Sequence, residues 1–232
     1  MPAPVAFDSV HVNYNHFTQV RFDEVPDAVL DYVEVLLDRE GPYSNDEDDH
    51  ETVWGIIQAT ADRAGFKRPL TTLSKSEAAK IWIYLWYYKQ NFHYIAQHSL
   101  AICNQVWDTS GPAGWPIGIK HLQRGLNHYN GPERGGLLPY GVDLKDDGKL
   151  GPKTANMLGA FLEHRGEEGE EVLFCNINAQ QEVHYMQTTA RNIGKRRFSF
   201  GWSKGRVVAD LRALFTGKVL LFQSRRKRNL VA

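Results

Sequence analysis

The sequence has little cysteine, no long apolar run and no net excess of charge. Its two cysteines, Cys103 and Cys175, lack metal-ligand spacing, and we interpret them as reduced thiols rather than a disulfide. The longest apolar run, residues 81–88, is far shorter than the ~20 residues that cross a bilayer. With 20 Gly and 10 Pro among 232 residues, the chain is neither collagen-like nor disordered. We therefore expect a globular protein without a membrane span, and residues 1–7 show no secretory signal pattern.

The net charge of zero conceals two oppositely charged regions. Residues 191–232 carry twelve Lys or Arg against the single acid Asp210, a charge of +11, whereas the first 190 residues carry −11. Such a basic end favours an anionic polymer or a membrane surface, and a solvated tail is the equal alternative. No helix-turn-helix or zinc pattern accompanies it, so we expect no nucleic-acid partner. The basic run at the extreme end consists of Arg225, Arg226, Lys227 and Arg228.

Apolar spacing predicts a mostly α fold. One helix begins at Pro26 and ends at Gly41-Pro42, and a capping box from Ser74 to Glu77 opens another that includes Trp82. Further helices are predicted over 94–107, over 119–127, from 152, over 170–192 and over 207–222, with a turn at 110–114. The buried face of the first helix is predicted to contain Val29, Leu30, Val33, Leu36 and Leu37.

Glu40 ends the buried stripe of that first helix. Partial burial and the negative end of the helix dipole both disfavour its ionised form, and a general acid near neutral pH needs a protonated carboxyl. The alternative is a solvated side chain without a role. An acidic loop follows over residues 43–52, where a carboxylate facing Glu40 would complete the pair that glycoside hydrolysis uses. The loop lacks the calcium-loop spacing, so we expect no metal there.

In order along the chain, these motifs resemble the glycoside hydrolase family 108 muramidases, which include phage endolysins. The first half of the resemblance consists of Glu40-Gly41-Pro42-Tyr43, Asp48-Asp49, Thr52 and Gly55-Ile56. The second half consists of Asp108, Leu122-Gln123-Arg124-Gly125-Leu126-Asn127, Asp147-Gly148, Gly151-Pro152-Lys153-Thr154 and Phe200-Gly201-Trp202 with Arg206. The resemblance implies a lysozyme-like helical body, mostly α with a small loop or hairpin at the active site, in the α+β class.

The resemblance also implies a reaction. Glu40 would act as the general acid on the β-1,4 bond between N-acetylmuramic acid and N-acetylglucosamine in peptidoglycan, with Asp49 and Thr52 positioning the attacking water. No metal or organic cofactor is expected. Because Pro42 replaces a family glycine and the loop around Glu51 is shortened, Asp48, Asp49 and Glu51 all stay candidates for the partner carboxylate. The residues predicted to bind substrate are Tyr43, Asp48, Trp107 and Asp108.

The predicted organisation has three parts. Residues 20–95 form the catalytic region, 96–205 a peptidoglycan-binding helical region packed into the same body, and 206–232 a basic C-terminal helix and tail. We expect a monomeric, bacteriolytic endolysin that stays in the host cytoplasm until a holin-type pore releases it to the cell wall. The alternatives are a lytic transglycosylase and a non-catalytic wall-binding or phage structural protein.

Overall fold

The computed structural model describes residues 14–45, 51–132 and 138–215. It is 72% helical, and the described residues form isolated β-bridges but no sheet, so the prediction of a mostly α fold is confirmed. None of the described helices is long and apolar enough to cross a membrane. Both cysteines are free, with Cys103 buried and Cys175 half-buried.

The chain divides into two compact units after Asn91. We call the described residues 14–91 the N-terminal unit and the described residues 92–215 the helical unit. The division lies four residues before the boundary between 95 and 96 that the sequence predicts.

The N-terminal unit is built around two helices that pack on each other, α1 (Asp27–Glu40) and α3 (Lys75–Trp82). α1 buries Val29, Val33 and Leu37 completely, as its apolar spacing predicts. The Ser74–Glu77 capping box is present at the start of α3, and Trp82 at its end is 7% exposed. The helices of this unit are α1 (Asp27–Glu40), α2 (Gln58–Ala64) and α3 (Lys75–Trp82), with 3-10 turns at Phe17–Gln19, Phe22–Glu24 and Leu70–Thr72.

The aromatic stretch after α3 continues as a π-helical segment, Ile83–Tyr88. Its three tyrosines are buried, at 4% exposure for Tyr84 and Tyr87 and 9% for Tyr88, so these rings belong to the core of the unit. The Trp86 ring is half-buried and stacks on Trp82, with 4.0 Å between the ring centroids. The stretch therefore serves mainly as core packing in this unit.

The helical unit contains three long helices that pack on one another pairwise, α5 (Leu100–Ala113), α6 (Trp115–His128) and α7 (Pro152–Arg191). Their shared core includes Ile102, Leu122, Leu126, Leu158 and Leu173, all fully buried. The helices of this unit are α4 (Phe92–Ala96), α5 (Leu100–Ala113), α6 (Trp115–His128), α7 (Pro152–Arg191), α8 (Arg196–Trp202) and α9 (Ala209–Phe215), with a 3-10 turn at Ile193–Lys195 and a π-helical segment at Ser203–Val208.

Several helix boundaries differ from those predicted, and the start of α6 at Trp115 rather than 119 is one of them. The predicted helix over 94–107 is broken, because the Ser99 hydroxyl caps a new helix by accepting from the Ile102 N–H at 2.9 Å. α5 continues into the predicted turn at 110–114 and ends at Ala113. The predicted helix over 170–192 is the second part of α7, which begins at Pro152 and is interrupted at Gly166, where φ is 61°.

The predicted C-terminal helix is described only as far as residue 215. Val207 is 9% exposed and its carbonyl accepts from Nδ2 of Asn178 at 3.3 Å, so this part packs on α7. The rest of that helix and the basic run Arg225 to Arg228 lie outside the described residues.

Candidate active site

Glu40 is the last residue of α1, and its side chain is half-buried. The helix ends there because Gly41 takes a positive φ of 75°, while its N–H still donates to the Leu37 carbonyl at 2.9 Å. Leu36 and Leu37, one turn earlier, anchor α1 in the core of the unit. The packing of α1 therefore sets the position of Glu40, whose carboxyl lies at the negative end of the helix dipole.

A short hairpin leads away from Glu40 and returns to it. Ser44 and Thr52 exchange two backbone hydrogen bonds, of 2.9 and 2.8 Å, and form an antiparallel bridge. Further along, the Trp54 N–H donates to the Gly41 carbonyl at 3.0 Å, which brings the returning chain beside the end of α1. These contacts correspond to the small hairpin predicted at the active site. Its tip, residues 46–50, lies outside the described residues.

The returning chain makes a tight turn with two successive positive φ angles. Val53 and Ile56 exchange two backbone hydrogen bonds of 3.0 Å, and between them Trp54 and Gly55 have φ angles of 54° and 72°. Asn-Gly is the favoured pair at such a turn, because a side chain is disfavoured where φ is positive. A tryptophan at the first position carries backbone strain of about 1–3 kcal/mol.

Gly55 packs against the side chain of Glu40. A Cβ atom built at Gly55 would lie 2.8 Å from Cγ of Glu40 and 3.1 Å from its Cβ, which is closer than carbon atoms approach without repulsion. Only a residue without a side chain leaves room for the glutamate in this position. The backbone of the turn therefore restricts by steric contact the directions in which the Glu40 side chain can extend.

Several contacts hold Trp54 in its strained conformation. Besides its hydrogen bond to Gly41, its carbonyl accepts from Nε1 of Trp82 at 3.0 Å. Nζ of Lys75 lies 5.7 Å from the centroid of the Trp54 ring and 2.6 Å from Oδ1 of Asp38. Backbone strain of this kind persists only where several surrounding contacts stabilise it, and strained residues cluster at functional sites. We call the segment Val53–Ile56 the strained turn.

The residues predicted for this site are only partly described. Thr52 is half-buried in the hairpin, Tyr43 is 54% exposed and Glu51 is exposed. Asp48 and Asp49 lie outside the described residues, so their roles stay predictions. Among the described residues, no three His, Cys, Asp or Glu side chains are grouped so as to hold a metal ion.

Two family models match the chain. Residues 33–114 match the model described as Glycosyl hydrolase 108, and residues 117–207 match the model described as Predicted Peptidoglycan domain. The chain therefore contains a glycosyl hydrolase 108 domain, followed by a predicted peptidoglycan domain. The protein is therefore a glycoside hydrolase, and its second matched region supports peptidoglycan as its partner. A search of curated proteins gave no match.

In this glycoside hydrolase the matched regions and the compact units divide the chain differently. The hydrolase match extends past Asn91 to residue 114 and so includes α4 and α5, which pack within the helical unit. The strained turn and Glu40 both lie within the hydrolase match.

Two residues predicted to bind substrate are buried in the helical unit of the hydrolase. Trp107 is 1% exposed and Asp108 is 4% exposed. Nη1 of Arg206 donates to Oδ1 of Asp108 at 2.7 Å, and Nε2 of Gln181 donates to Oδ2 at 3.3 Å. A polymer does not reach side chains placed in this way, so we do not carry a substrate-binding role forward for either residue. Asp108 instead balances the charge of the largely buried Arg206.

Sequence reasoning missed the strained turn itself. Gly55 was part of the family motif but had no assigned role, and Trp54 and Lys75 were not site candidates. The available signal was the pair Trp54-Gly55, because a glycine at the second position is typical of a two-residue turn. Nothing in the sequence indicated that the glycine faces Glu40.

In the predicted peptidoglycan domain, three amide side chains fix the position of one long loop. Gln123, Asn127 and Asn130 follow one another at helical spacing along α6 and just past its end. Asn127 makes two hydrogen bonds of 2.8 Å with the backbone N–H and carbonyl of Leu144. Asn130 accepts from the Tyr140 N–H at 3.0 Å, and Oε1 of Gln123 accepts from the Gly148 N–H at 3.0 Å. We call this segment, residues 138–151, the amide-held loop.

Proposed function

We propose that this peptidoglycan hydrolase cleaves the β-1,4 bond between N-acetylmuramic acid and N-acetylglucosamine, with Glu40 as the general acid. The observation that carries the proposal is the close packing of Gly55 against Glu40 at the end of α1. The Glu40 carboxyl is half-buried at the carboxyl end of α1, and as a protonated acid it would donate its proton to the leaving oxygen. The strained turn keeps this carboxyl in one place, which general acid catalysis requires.

The proposed reaction uses two carboxyl groups. Protonated Glu40 donates to the leaving glycosidic oxygen as the sugar becomes oxocarbenium-like, and a carboxylate of the acidic loop stabilises that charge. Asp49 is the first candidate for this carboxylate, with Asp48 and Glu51 as alternatives, and the Thr52 hydroxyl helps to position the water. A separation of ~6.5–9.5 Å between the two carboxyl groups leaves room for water and inverts the configuration, whereas ~5 Å leads to retention.

The test is digestion of purified sacculi by the wild type and by Glu40→Gln, with the soluble products analysed by mass spectrometry. We expect the wild type to release fragments with reducing muramic acid ends. Glu40→Gln should be slower by at least about 100-fold, the usual contribution of a general acid. Glu34→Gln is the matched control, because it makes the same change on the same helix.

The outcomes separate the alternatives. Anhydro-muramic acid products would identify a lytic transglycosylase, and binding to sacculi without any release would identify a non-catalytic wall-binding protein. Equal activity of Glu40→Gln and Glu34→Gln would exclude Glu40 as the acid. The variants Asp48→Asn, Asp49→Asn and Glu51→Gln, assayed in the same way, identify the partner carboxylate by the largest loss of rate.

We also propose that the protein acts as a monomeric endolysin, made in the host cytoplasm and released to the wall through a holin-type pore. Its support is the peptidoglycan domain together with the charge of +11 over residues 191–232, which favours contact with anionic envelope polymers. Expression in a Gram-negative host with and without a holin should give lysis only with the holin. Replacing Arg225, Arg226, Lys227 and Arg228 with alanine should weaken binding to anionic vesicles.

A further inference from the structure

Trp54 adopts a backbone conformation that its own side chain disfavours. It has the first of the two positive φ angles in the strained turn, at 54°. Asparagine adopts this conformation more easily, and it would leave the hydrogen bonds of the turn unchanged because they are all made by backbone groups. The turn would therefore form without a tryptophan, and strain that the fold does not require points to a role for the indole itself.

The indole of Trp54 also lacks the partners that other tryptophans of the protein have. Trp82 and Trp86 stack on each other, Nε1 of Trp82 donates to the Trp54 carbonyl, and Trp107 is 1% exposed. Trp54 is half-buried and pairs with no other aromatic ring in the described part of the chain. Its Nε1 donates to no described residue and is not enclosed by protein, so the indole N–H is open to solvent.

The contacts around Trp54 hold this partly exposed ring in one place. Its N–H donates to the Gly41 carbonyl and its carbonyl accepts from Trp82, both at 3.0 Å, so the backbone is fixed on both sides of its Cα atom. Nζ of Lys75 lies 5.7 Å from the ring centroid and is itself bound to Oδ1 of Asp38 at 2.6 Å. The ring is therefore positioned in advance, and a ligand that packs on it does not have to order it first.

Trp54 is one residue away from the contact with Glu40. Gly55 follows it directly, and a Cβ atom built at Gly55 would lie 2.8 Å from Cγ of Glu40. A glycan that presents a glycosidic oxygen to the Glu40 carboxyl therefore passes next to the strained turn. An indole suits such a ligand, because its apolar face packs against the C–H groups of a pyranose and its N–H donates to a hydroxyl or acetamido oxygen.

We propose that Trp54 is a sugar-binding residue of the active site, whose indole packs on the sugar next to the bond that Glu40 protonates. The proposal rests on the proposed function in taking the glycan strand of peptidoglycan as the substrate. It gives the two residues of the turn different roles, since Gly55 places the acid and Trp54 binds the sugar. The backbone strain is then the cost of keeping a binding side chain at a position that favours asparagine.

The experiment measures steady-state cleavage of soluble, peptide-free glycan strands by the full chain. In Trp54→Asn the turn keeps its backbone and Gly55 keeps its contact with Glu40, so kcat should stay within about twofold of the wild type. KM should rise about tenfold, because the sugar loses the apolar surface of the ring. Trp54→Phe keeps an apolar ring but loses the N–H, and its KM should rise about threefold.

The matched control is Tyr94→Asn, which replaces a half-buried ring of α4 with the same residue and should leave kcat and KM unchanged. Binding without cleavage is measured in a Glu40→Gln background. There the dissociation constant for the same strands should rise about tenfold on adding Trp54→Asn and stay unchanged on adding Tyr94→Asn.

A further arm keeps Trp54 in place and decides the question even where Trp54→Asn does not fold. The six tryptophans give six indole N–H signals in nuclear magnetic resonance, and Trp54→Phe identifies the one that belongs to Trp54. In the Glu40→Gln protein this signal should shift when glycan strands bind. An unmoved signal in saturating glycan, or a lower kcat with an unchanged KM in Trp54→Asn, would overturn the proposal. Failure of the proposed function is visible separately, as undiminished cleavage by Glu40→Gln.

Discussion

In the N-terminal unit the segment beside Glu40 is held through its backbone, whereas in the helical unit the amide-held loop is held through side chains. The strained turn depends on two positive φ angles and on a glycine that touches Glu40. The loop depends on Gln123, Asn127 and Asn130, which bind its backbone groups. The close placement of one carboxyl thus rests on steric contact, whereas the course of a long loop rests on hydrogen bonds. Substitutions in the strained turn and in the amide-held loop test this difference.

The largest effect is expected from Gly55→Ala. The added Cβ would meet Cγ of Glu40 at 2.8 Å, so the carboxyl must move. A displacement of about 1 Å at a reacting group costs about 100-fold in rate, and we expect at least that loss of muropeptide release. The control is Gly41→Ala, which also has a positive φ but has nothing within 4 Å of the new atom. Similar losses of rate in both variants would show that backbone strain, not contact with Glu40, matters.

The helical unit should lose stability in acid because of His121. His121 is 4% exposed, and its pKa is lowered to about 4. The main cause is burial, and the charges of His184 and Arg124 contribute less. The unfolded chain takes up this proton near pH 6.5, so stability is complete above that pH and falls as the pH decreases towards 4. The loss amounts to about 3 kcal/mol at most.

Urea unfolding between pH 7.5 and pH 4 measures this dependence. His121→Gln should reduce the pH dependence of the free energy of unfolding. His128→Gln, at an exposed position on the same helix, should leave that dependence unchanged. If the free energy of unfolding of the His121→Gln protein depended on pH as steeply as that of the wild type, His121 would not be the group responsible. The expected decrease belongs to the helical unit, so a probe in that unit should report it.

Loosening the amide-held loop is expected to have an intermediate effect. Gln123→Leu removes the hydrogen bonds to the Gly148 N–H and the Lys149 carbonyl, at a cost of about 2 kcal/mol for the two bonds. Hydrogen exchange should become faster in the loop while cleavage of soluble glycan fragments is retained. Arg124→Ala removes a neighbouring exposed ion pair to Asp146 and should cost less than about 1 kcal/mol. If the loop were equally protected from hydrogen exchange in Gln123→Leu and Arg124→Ala, Gln123 would not be the residue that fixes it.

The smallest effect is expected from Lys75→Met. This change removes the cation near the Trp54 ring and the ion pair to Asp38 but keeps most of the aliphatic stem. We expect a loss of about 0.5–1 kcal/mol in unfolding free energy, because Asp38 is well exposed. Thermal unfolding measures it, with Lys67→Met in the same unit as the control. A large loss of activity without a loss of stability would instead indicate that Lys75 touches substrate.

Much of the N-terminal unit follows from its sequence, because its helices have ordinary signals. The apolar stripe of α1 and the stop at Gly41 gave the position of Glu40, and the Ser74 capping box gave the start of α3. The break at Ser99 also had a signal in the sequence, since serine favours the first position before a helix. The apolar spacing over 94–107 continues across this break and by itself predicts one helix.

Other features had no local signal. α5 continues through Gly111-Pro112 although both residues disfavour helix, because its packing on α6 and α7 outweighs local preference. The interruption of α7 falls at Gly166, which adopts its positive φ without strain, but no proline or asparagine in residues 161–170 marks a break there. Trp54 is a residue that rarely adopts a positive φ, so its conformation follows only from contacts distant in sequence.

The contact between Gly55 and Glu40 also bears on which sequences this site accepts. Position 54 has room for alternatives, since Asn, Asp or Gly adopt its backbone conformation with less strain than tryptophan. Position 55 has none, because any side chain would occupy the space of the glutamate. Gly55, which has no side chain, is thus less replaceable than Trp54 beside it. At this site we expect substitutions to be tolerated less at the glycine than at the aromatic residue.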